Sequence, residues 1–512
     1  MSSRTQNAIR NAFSGIIGKV VNLIFAFAAR TVFIYVLGNT YLGVNGLYTE
    51  ILGVLSFAEL GFGTAITFSM YKPVVDNDRQ KIVQLLSFYK KIYRNIACVI
   101  TVLGLGITPF LRYIVKGADW LSNKELVTFF LIYLFNTVIG YFVSYKYTYL
   151  NALQKNYVQT NIETVIATAT YIVQIVVIVV FKSFLGYLII DSFVLLISRI
   201  FIIIFLNKRY PIMREKAYKQ LDTQTKKSIY TEVKGLAIHQ FAGVAVHSTD
   251  NILISMVSGE GVTGVGLVSN YNLIMRSVLG FVNILFSSVT SGFGNLVATS
   301  SAKKLREVFG EINFINFWVY GFCSIAFWVL IPPFITIWIG ADKAVDSKAF
   351  MLIIINCYLQ GQSTAYNNVR IAKGNFNKDK GWALVQAITN LIVSIIAARQ
   401  YGLVGIYIGT VVSRLVYVVF RPYSTYKFLF EESSAEYYKK LIQYGINVIV
   451  AAVLTKLCIM KFVRSITIIS FIGMMTIVVI VPNAVFLILN CKSREFARCK
   501  ERIVLCTNKL RR

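Results

Sequence analysis

Charge is scarce in this 512-residue chain. Only 15% of its residues are Asp, Glu, Lys or Arg, against 56% hydrophobic, whereas a water-soluble protein carries about 25% charged residues. That deficit excludes the string of soluble domains, roughly 150 residues each, that the length alone would suggest. A mean hydropathy of +0.63, with 30 Tyr and 37 Phe, describes a polytopic membrane protein. Acids are scarcer than bases: 52 Lys+Arg stand against 23 Asp+Glu, a net charge of +29. Histidine is nearly missing. His239 and His247 share one helical face without a third ligand, so helix packing is the better reading and no metal is expected. The seven cysteines include no paired C-x-x-C, which argues against both a zinc site and a disulfide framework. No G-x-x-x-x-G-K-[ST] occurs, so no ATPase is present in the chain. Gly259–Gly264 spells G-x-G-x-x-G but joins two apolar runs, with no acid about twenty positions on, which rejects dinucleotide binding. Basic residues are spread over many connections instead of one face, so nucleic acid is not a partner.

What the chain has in quantity is long apolar runs. Crossing about 30 Å of hydrocarbon takes about 20 apolar residues. Fourteen runs qualify, near 14–38, 43–70, 93–112, 126–148, 158–181, 184–206, 235–258, 262–290, 312–338, 349–369, 382–400, 402–428, 441–460 and 465–489. The expected fold is therefore all-α, with 14 transmembrane helices, and the first run reads as a span instead of a cleaved signal peptide. With both termini in the cytoplasm, cytoplasmic segments hold 37 basic residues, external ones 9 and the spans 6. That asymmetry orients the chain. Ile82, Leu85, Leu86 and Tyr89 form an apolar face among basic residues, which predicts an interfacial helix on anionic membrane lipid. External connections are too short to fold into a domain.

A faint internal repeat supports two lobes. Gly38, Gly43 and Val44 match Gly259, Gly264 and Val265. Ala152 with Asn156-Tyr157 matches Ala372 with Asn375-Phe376, and Leu185-Gly186-Tyr187 matches Val404-Gly405-Ile406. The offsets agree within two residues and shift by six spans, so the repeat is parallel. The expected organisation is an N-lobe at 1–206, a basic cytoplasmic linker at 207–234 and a C-lobe at 235–430. Two further helices follow at 431–490, then a basic tail at 491–512.

Ionised groups inside hydrocarbon cost at least ~2.5–3.5 kcal/mol each and need a partner or a wet cavity. Arg30 and Glu50 lie at similar depth, roughly 12 Å from the outer ends of their spans; they are read either as a structural pair or as cavity groups. Arg199, near Asp191, reads as structural. Arg276, with no acid in its own hairpin, reads as a cavity group, and Arg414 lies at similar depth. Lys19 and Lys456 are expected to snorkel. Glu50 and Glu59 face opposite sides of a straight helix unless Gly53 or Gly61 kinks it.

The run Gly38–Tyr48, with Leu55–Gly61, Tyr71–Pro73, Ser248–Ser255, Ser269–Tyr271, Gly294–Leu296, Trp338–Gly340 and Gly405–Thr410, resembles bacterial oligosaccharide flippases of the Wzx type. These belong to the multidrug/oligosaccharidyl-lipid/polysaccharide exporter superfamily, and the resemblance covers nearly the whole chain. It implies two six-helix lobes and no enzyme activity. It also implies movement of an undecaprenyl-pyrophosphate-linked oligosaccharide to the outer leaflet of a bacterial inner membrane by alternating access, for surface polysaccharide biosynthesis. Expected partners are the lipid-linked oligosaccharide, membrane lipids and other polysaccharide-assembly membrane proteins. No cofactor is expected beyond a coupling H+ or Na+. Substrate contacts are assigned to Arg30, Arg276, Asn251, Asn270 and Tyr271, with Asn272, Gln360, Gln362 and Asn367 as further hydroxyl-binding groups. Ion coupling is assigned to Glu50, Glu59 and Asp250. Glu59 and Asp250 lie in the quoted motifs, while Arg30 and Arg276 rest on depth and charge. A cation-coupled drug or metabolite antiporter of the same superfamily is the alternative.

Overall fold

Backbone groups in hydrocarbon must be satisfied internally, so apolar runs of this length fold as helices. The computed structural model describes residues 4–59, 61–299, 302–367, 380–427, 432–463 and 465–510, and no strand occurs among them. The helices are α1 (Arg4–Leu55), α2 (Phe62–Val75), α3 (Arg79–Ile107), α4 (Leu111–Ile114), α5 (Asn123–Ala152), α6 (Asn156–Phe181), α7 (Phe184–Arg209) and α8 (Thr223–His247). They continue as α9 (Asp250–Val257), α10 (Gly261–Thr299), α11 (Ala302–Ile339), α12 (Ser347–Gln362), α13 (Lys380–Thr425), α14 (Ala435–Phe462), α15 (Ile468–Asn490) and α16 (Arg494–Leu510). The chain divides into two compact units, Met1–Ile284 and Leu285–Arg512. The repeat match at Ala372 and Asn375-Phe376 lies outside the described residues, as do the side chains of His239, His247 and Gly294–Leu296.

Among the described residues, ten helical stretches are long and apolar enough to cross a membrane. Two of them each hold two predicted spans. Arg10–Glu59 breaks at Gly38 (φ 85°) and Gly381–Ser424 breaks at Gly402 (φ 55°). Both breaks are reversals. Lys19 and Glu50 line one cavity, although 31 residues of straight helix would hold them ~46 Å apart. Across Gly402, Asn390 Nδ2 reaches Thr410 Oγ1 at 3.4 Å and Ser394 Oγ donates to the Ile406 carbonyl at 3.0 Å. The predicted span 235–258 is divided at Ser248 and Thr249 into α8 and α9, and α12 has 16 residues; neither is among the ten.

Two expectations need correction. The predicted span 43–70 is not continuous: Gly61 (φ 79°) caps a new helix, α2. The predicted interfacial helix does not lie on lipid. Ile82, Leu85, Leu86 and Tyr89 are all buried inside the first unit, on the N-terminal half of α3. Their apolar face meets protein because this end of α3 is tied down. Arg79 Nε donates to both carboxylate oxygens of Glu215 at 3.1 Å, and Lys81 pairs with Asp222 and with Thr225 Oγ1 at 2.9 Å.

The bonded carboxylates of that clamp are both held below their ordinary range, Glu215 by the Arg79 guanidinium and Asp222 by Lys81 and the Thr225 amide. A depressed carboxylate contributes stability above its unfolded pKa, about 4, and loses it as pH falls toward the folded value. Pepsin nicking of the 210–222 connection is therefore expected to stay slow near pH 4 and to accelerate toward pH 2. Nicking that is already maximal at pH 4 would show the clamp is not closed in solution.

Within the first unit, ion pairs hold helices together. Arg199 donates to Glu163 at 2.8 Å, and Tyr147 Oη donates to the same carboxylate at 2.7 Å. Asp191, the acid expected beside Arg199, instead accepts from Gln174 at 2.8 Å and Asn136 at 3.3 Å. Helices α1 and α10 meet backbone to backbone: a Cβ on Gly43 would overlap the Val262 carbonyl, and one on Gly266 the Asn39 carbonyl. In the second unit Phe317 and Tyr444 stack in a buried core, with Phe486 packed against Phe317 at a tilt. The basic tail forms α16, where Arg498 and Arg502 pair with Glu307 and Glu311 of α11 at 3.2 and 2.5 Å. Arg414 donates to Asn356 at 3.0 Å, and Asn367 accepts from Tyr417 at 2.8 Å.

The repeat also shows in the backbone. Positive φ recurs at Gly38 and Gly259, at Gly117 and Gly340, and at Lys182 and Gly402. These are separations of 221, 223 and 220 residues, close to the 219–221 of the sequence matches.

Candidate functional site

Polar residues in apolar helices collect where their faces converge, and in the first unit they converge twice. The first cavity encloses about 540 Å³ and is walled by both arms of α1, by α6, α9 and α10. One arm supplies Lys19, Asn22, Leu23, Ala26 and Arg30, which repeat at helical spacing on one face. The other arm supplies Leu42, Asn45, Gly46, Thr49 and Glu50 with the same periodicity. From α10 come Ser269, Asn272, Leu273, Arg276 and Ser277, again at i, i+3, i+4, i+7 and i+8.

Of the residues assigned to substrate, the structure brings Arg30, Arg276 and Asn251 to this cavity, together with Glu50. Arg30 Nη1 donates to Ser269 Oγ at 3.1 Å. The partner of Glu50 is Arg276 Nη2, at 3.6 Å, so the Arg30–Glu50 pairing considered from depth is replaced by one between α1 and α10. Glu50 is largely covered while 71% of the Arg276 side chain is exposed, so the guanidinium faces the void. Lys19, expected to snorkel, also lines the cavity, with its ammonium against Gly280. It lies three turns before Arg30, which puts both on one face.

Asn270 and Tyr271 do not reach the cavity. Both are fully buried, and Asn270 donates to Asn39 Oδ1 at 3.3 Å. Each is one step round α10 from the lining face. Asp250 is outside the lining as well, next to Asn251 on α9. Gln362, in the second unit, is buried too.

Glu59 belongs to a second cavity of about 730 Å³, lined from the end of α1 through α2, α3, α5, α6 and α8. There Tyr89 Oη donates to Tyr93 Oη at 2.5 Å, and Tyr93 in turn donates to Glu59. Gly63 lets the three groups close up, since a Cβ there would come within 3.1–3.3 Å of all of them. Glu50 and Glu59 thus line different cavities; the helix is not straight through both, since α1 ends at Leu55 and Glu59 closes a 3-10 turn over Ser56–Glu59. Lys19, Asn22, Asn45, Ser269 and the tyrosine chain were missed as site residues. For the first four the signal was available, as positions three, four, seven, eight or eleven residues from a charged or glycine-flanked neighbour on one face.

Among the described residues no cluster of His, Cys, Asp and Glu could hold a metal ion. No family matches the sequence, and no curated protein does. Solved structures do match the fold. The lipid II flippase MurJ, in an inward closed conformation, aligns with a TM-score of 0.63 over 94% of this chain and 98% of that one, at 13% identity. A mutant of the Vibrio cholerae MATE transporter VcmN aligns with a TM-score of 0.59 over 85% and 99%, at 14% identity. An inward-facing multidrug resistance MATE family transporter of the MOP superfamily gives 0.60 over 80% and 97%, at 15% identity. The chain therefore has the helical fold of these membrane transporters and flippases.

Proposed function

We propose that this protein is a flippase that carries an undecaprenyl-pyrophosphate-linked oligosaccharide from the cytoplasmic to the outer leaflet of a bacterial inner membrane, for surface polysaccharide synthesis. The observation that supports it best is the charge of the first cavity: Lys19, Arg30 and Arg276 against Glu50 alone. A membrane cavity with that surplus suits a compact multivalent anion, and forked guanidinium donors suit phosphate oxygens. The Arg276–Glu50 contact is long enough for an incoming phosphate to compete with it. A cationic drug, the cargo of the antiporter alternative, would meet net repulsion here.

The reading keeps fourteen crossings, both termini in the cytoplasm and two six-helix lobes at 1–206 and 235–430. The 37-to-9 partition of basic residues supports the orientation. Neutralising Glu50 would raise the positive charge of the cavity and tighten anion binding. An H+ or Na+ exchanged for substrate therefore fits better at Glu59 or Asp250.

The test is a deletion strain in which lipid-linked glycan is followed across the inner membrane. Repeat units should accumulate on the cytoplasmic leaflet, and the intact gene should restore their export. Normal export in the deletion strain, with altered efflux of a drug or metabolite cation, would overturn the flippase reading in favour of the antiporter.

A further inference from the structure

In the first cavity the cations stand among polar groups such as Asn22, Asn45, Asn251 and Asn272, whereas the second gathers polar groups with no cation among them. We propose that the second cavity is a carbohydrate site that holds the sugars of the lipid-linked substrate while the first holds its diphosphate. This assignment rests on the flippase reading and adds to it where the glycan sits.

Five observations carry it. The cavity encloses about 730 Å³, within the ~300–1,000 Å³ usual for small-molecule sites. Its lining contains no lysine or arginine and one carboxylate, Glu59, so it has no cation with which to hold a phosphate. It is rich in hydroxyl-matching groups: the amides of Asn151, Gln159 and Gln240 and the phenol of Tyr71 line it. Those three amide side chains make no hydrogen bond to another side chain among the described residues. They present donors and acceptors together, which is what a sugar hydroxyl, itself both, requires. The rings of Phe57 and Phe68 add apolar faces. Tyr93 occupies only part of the acceptor capacity of Glu59, because a carboxylate offers about four lone-pair sites.

The placement agrees with the covalent structure of such a substrate. Glu50 lines the first cavity and Gly53 the second, less than one turn apart on α1, about 4.5 Å of rise. A glycosyl diphosphate joins its sugar directly to the phosphate, so anion and sugar sites must be neighbours. An apolar lipid tail filling the cavity would cover these part-exposed amides without pairing them, at a cost of roughly 1–3 kcal/mol for each one it buried.

The test uses the full chain in lipid nanodiscs made without sugar-headed detergent. Saturation-transfer NMR is recorded with a panel of neutral hexoses, N-acetylhexosamines and disaccharides, and inorganic pyrophosphate binding is measured by calorimetry. At least one sugar should give a signal that falls fivefold or more in Gln159→Ala and Gln240→Ala and is unchanged in Arg276→Ala. Pyrophosphate binding should show the reverse pattern. Wild-type thermal midpoints for both glutamine variants would show that they fold. A sugar signal indifferent to both glutamines, or no signal from any sugar while pyrophosphate binds, overturns the proposal. Binding of tetraphenylphosphonium in place of sugar, lost in Glu59→Gln, also overturns it by making this an organic-cation site. If pyrophosphate fails to bind while the sugar pattern holds, the flippase reading loses its anion site and the carbohydrate assignment stands.

Discussion

An Arg276→Ala variant is expected to lose surface-glycan complementation while still inserting and folding. Most of the Arg276 side chain faces the first cavity, and its one ion-pair contact there is the 3.6 Å approach to Glu50. Charge-assisted hydrogen bonds contribute roughly 1.5–3 kcal/mol, and each 1.4 kcal/mol is tenfold in affinity. Inorganic pyrophosphate should therefore bind roughly ten- to a hundredfold more weakly to the variant, as calorimetry in nanodiscs would read. Removing the guanidinium also leaves Glu50, largely covered, without its cation. The double variant Arg276→Ala with Glu50→Gln separates the two effects. It should recover any lost thermal stability, because no uncompensated charge remains, and it should still fail to transport. Full complementation by Arg276→Ala would assign this arginine to helix packing alone.

Gly43→Val should have a larger effect on the fold itself. Helix association in lipid depends on close packing, and the α1–α10 contact has no room for a side chain on either face. A Cβ at Gly43 would overlap a backbone carbonyl, which cannot turn aside as the end of a flexible side chain can. Overpacking typically costs ~1–3 kcal/mol, and a rigid neighbour places this substitution at or above the upper end. The same two helices carry Arg30 to Ser269 and Arg276 to Glu50, so forcing them apart also opens the first cavity. The expected result is a lower thermal midpoint and poor yield of monodisperse protein by size exclusion. Gly140→Ala is the control, since a Cβ there meets nothing within 4 Å, and it should behave as wild type. A Gly43→Val protein as stable as that control would mean the two helices do not touch in the membrane.

The residues that were legible in the sequence are those whose cost in hydrocarbon is largest. Arg30, Glu50 and Arg276 stand out as charges within apolar runs, and all three line one cavity. Neutral polar residues carry a weaker signal. Asn270 and Tyr271 were chosen for their chemistry, yet helical register counted from Arg276 selects Asn272 and Ser269 instead. The pairing of Arg276 with Glu50 was not legible, because it joins helices 226 residues apart in the chain. Nor was the burial of the α3 face. An amphipathic helix looks the same whether lipid or protein covers it, and the Arg79 and Lys81 clamp that decides the matter is tertiary. The glycine reversals were legible as boundaries between predicted spans at 38 and 402, since the apolar runs stopped there.

The paired positive-φ positions have a consequence for how such a protein records its own ancestry. At one of the three pairs the two residues differ: Lys182 (φ 47°, ψ 33°) is in the αL region, while its counterpart Gly402 (φ 55°, ψ −130°) shares only the sign of φ. An L-residue at positive φ bears a steric cost that glycine avoids, and still φ is positive in both turns. Side-chain identity and ψ have drifted at that pair while the sign of φ has not. A comparison of the two halves made on the sign of φ would then find a kinship that a comparison of letters nearly loses.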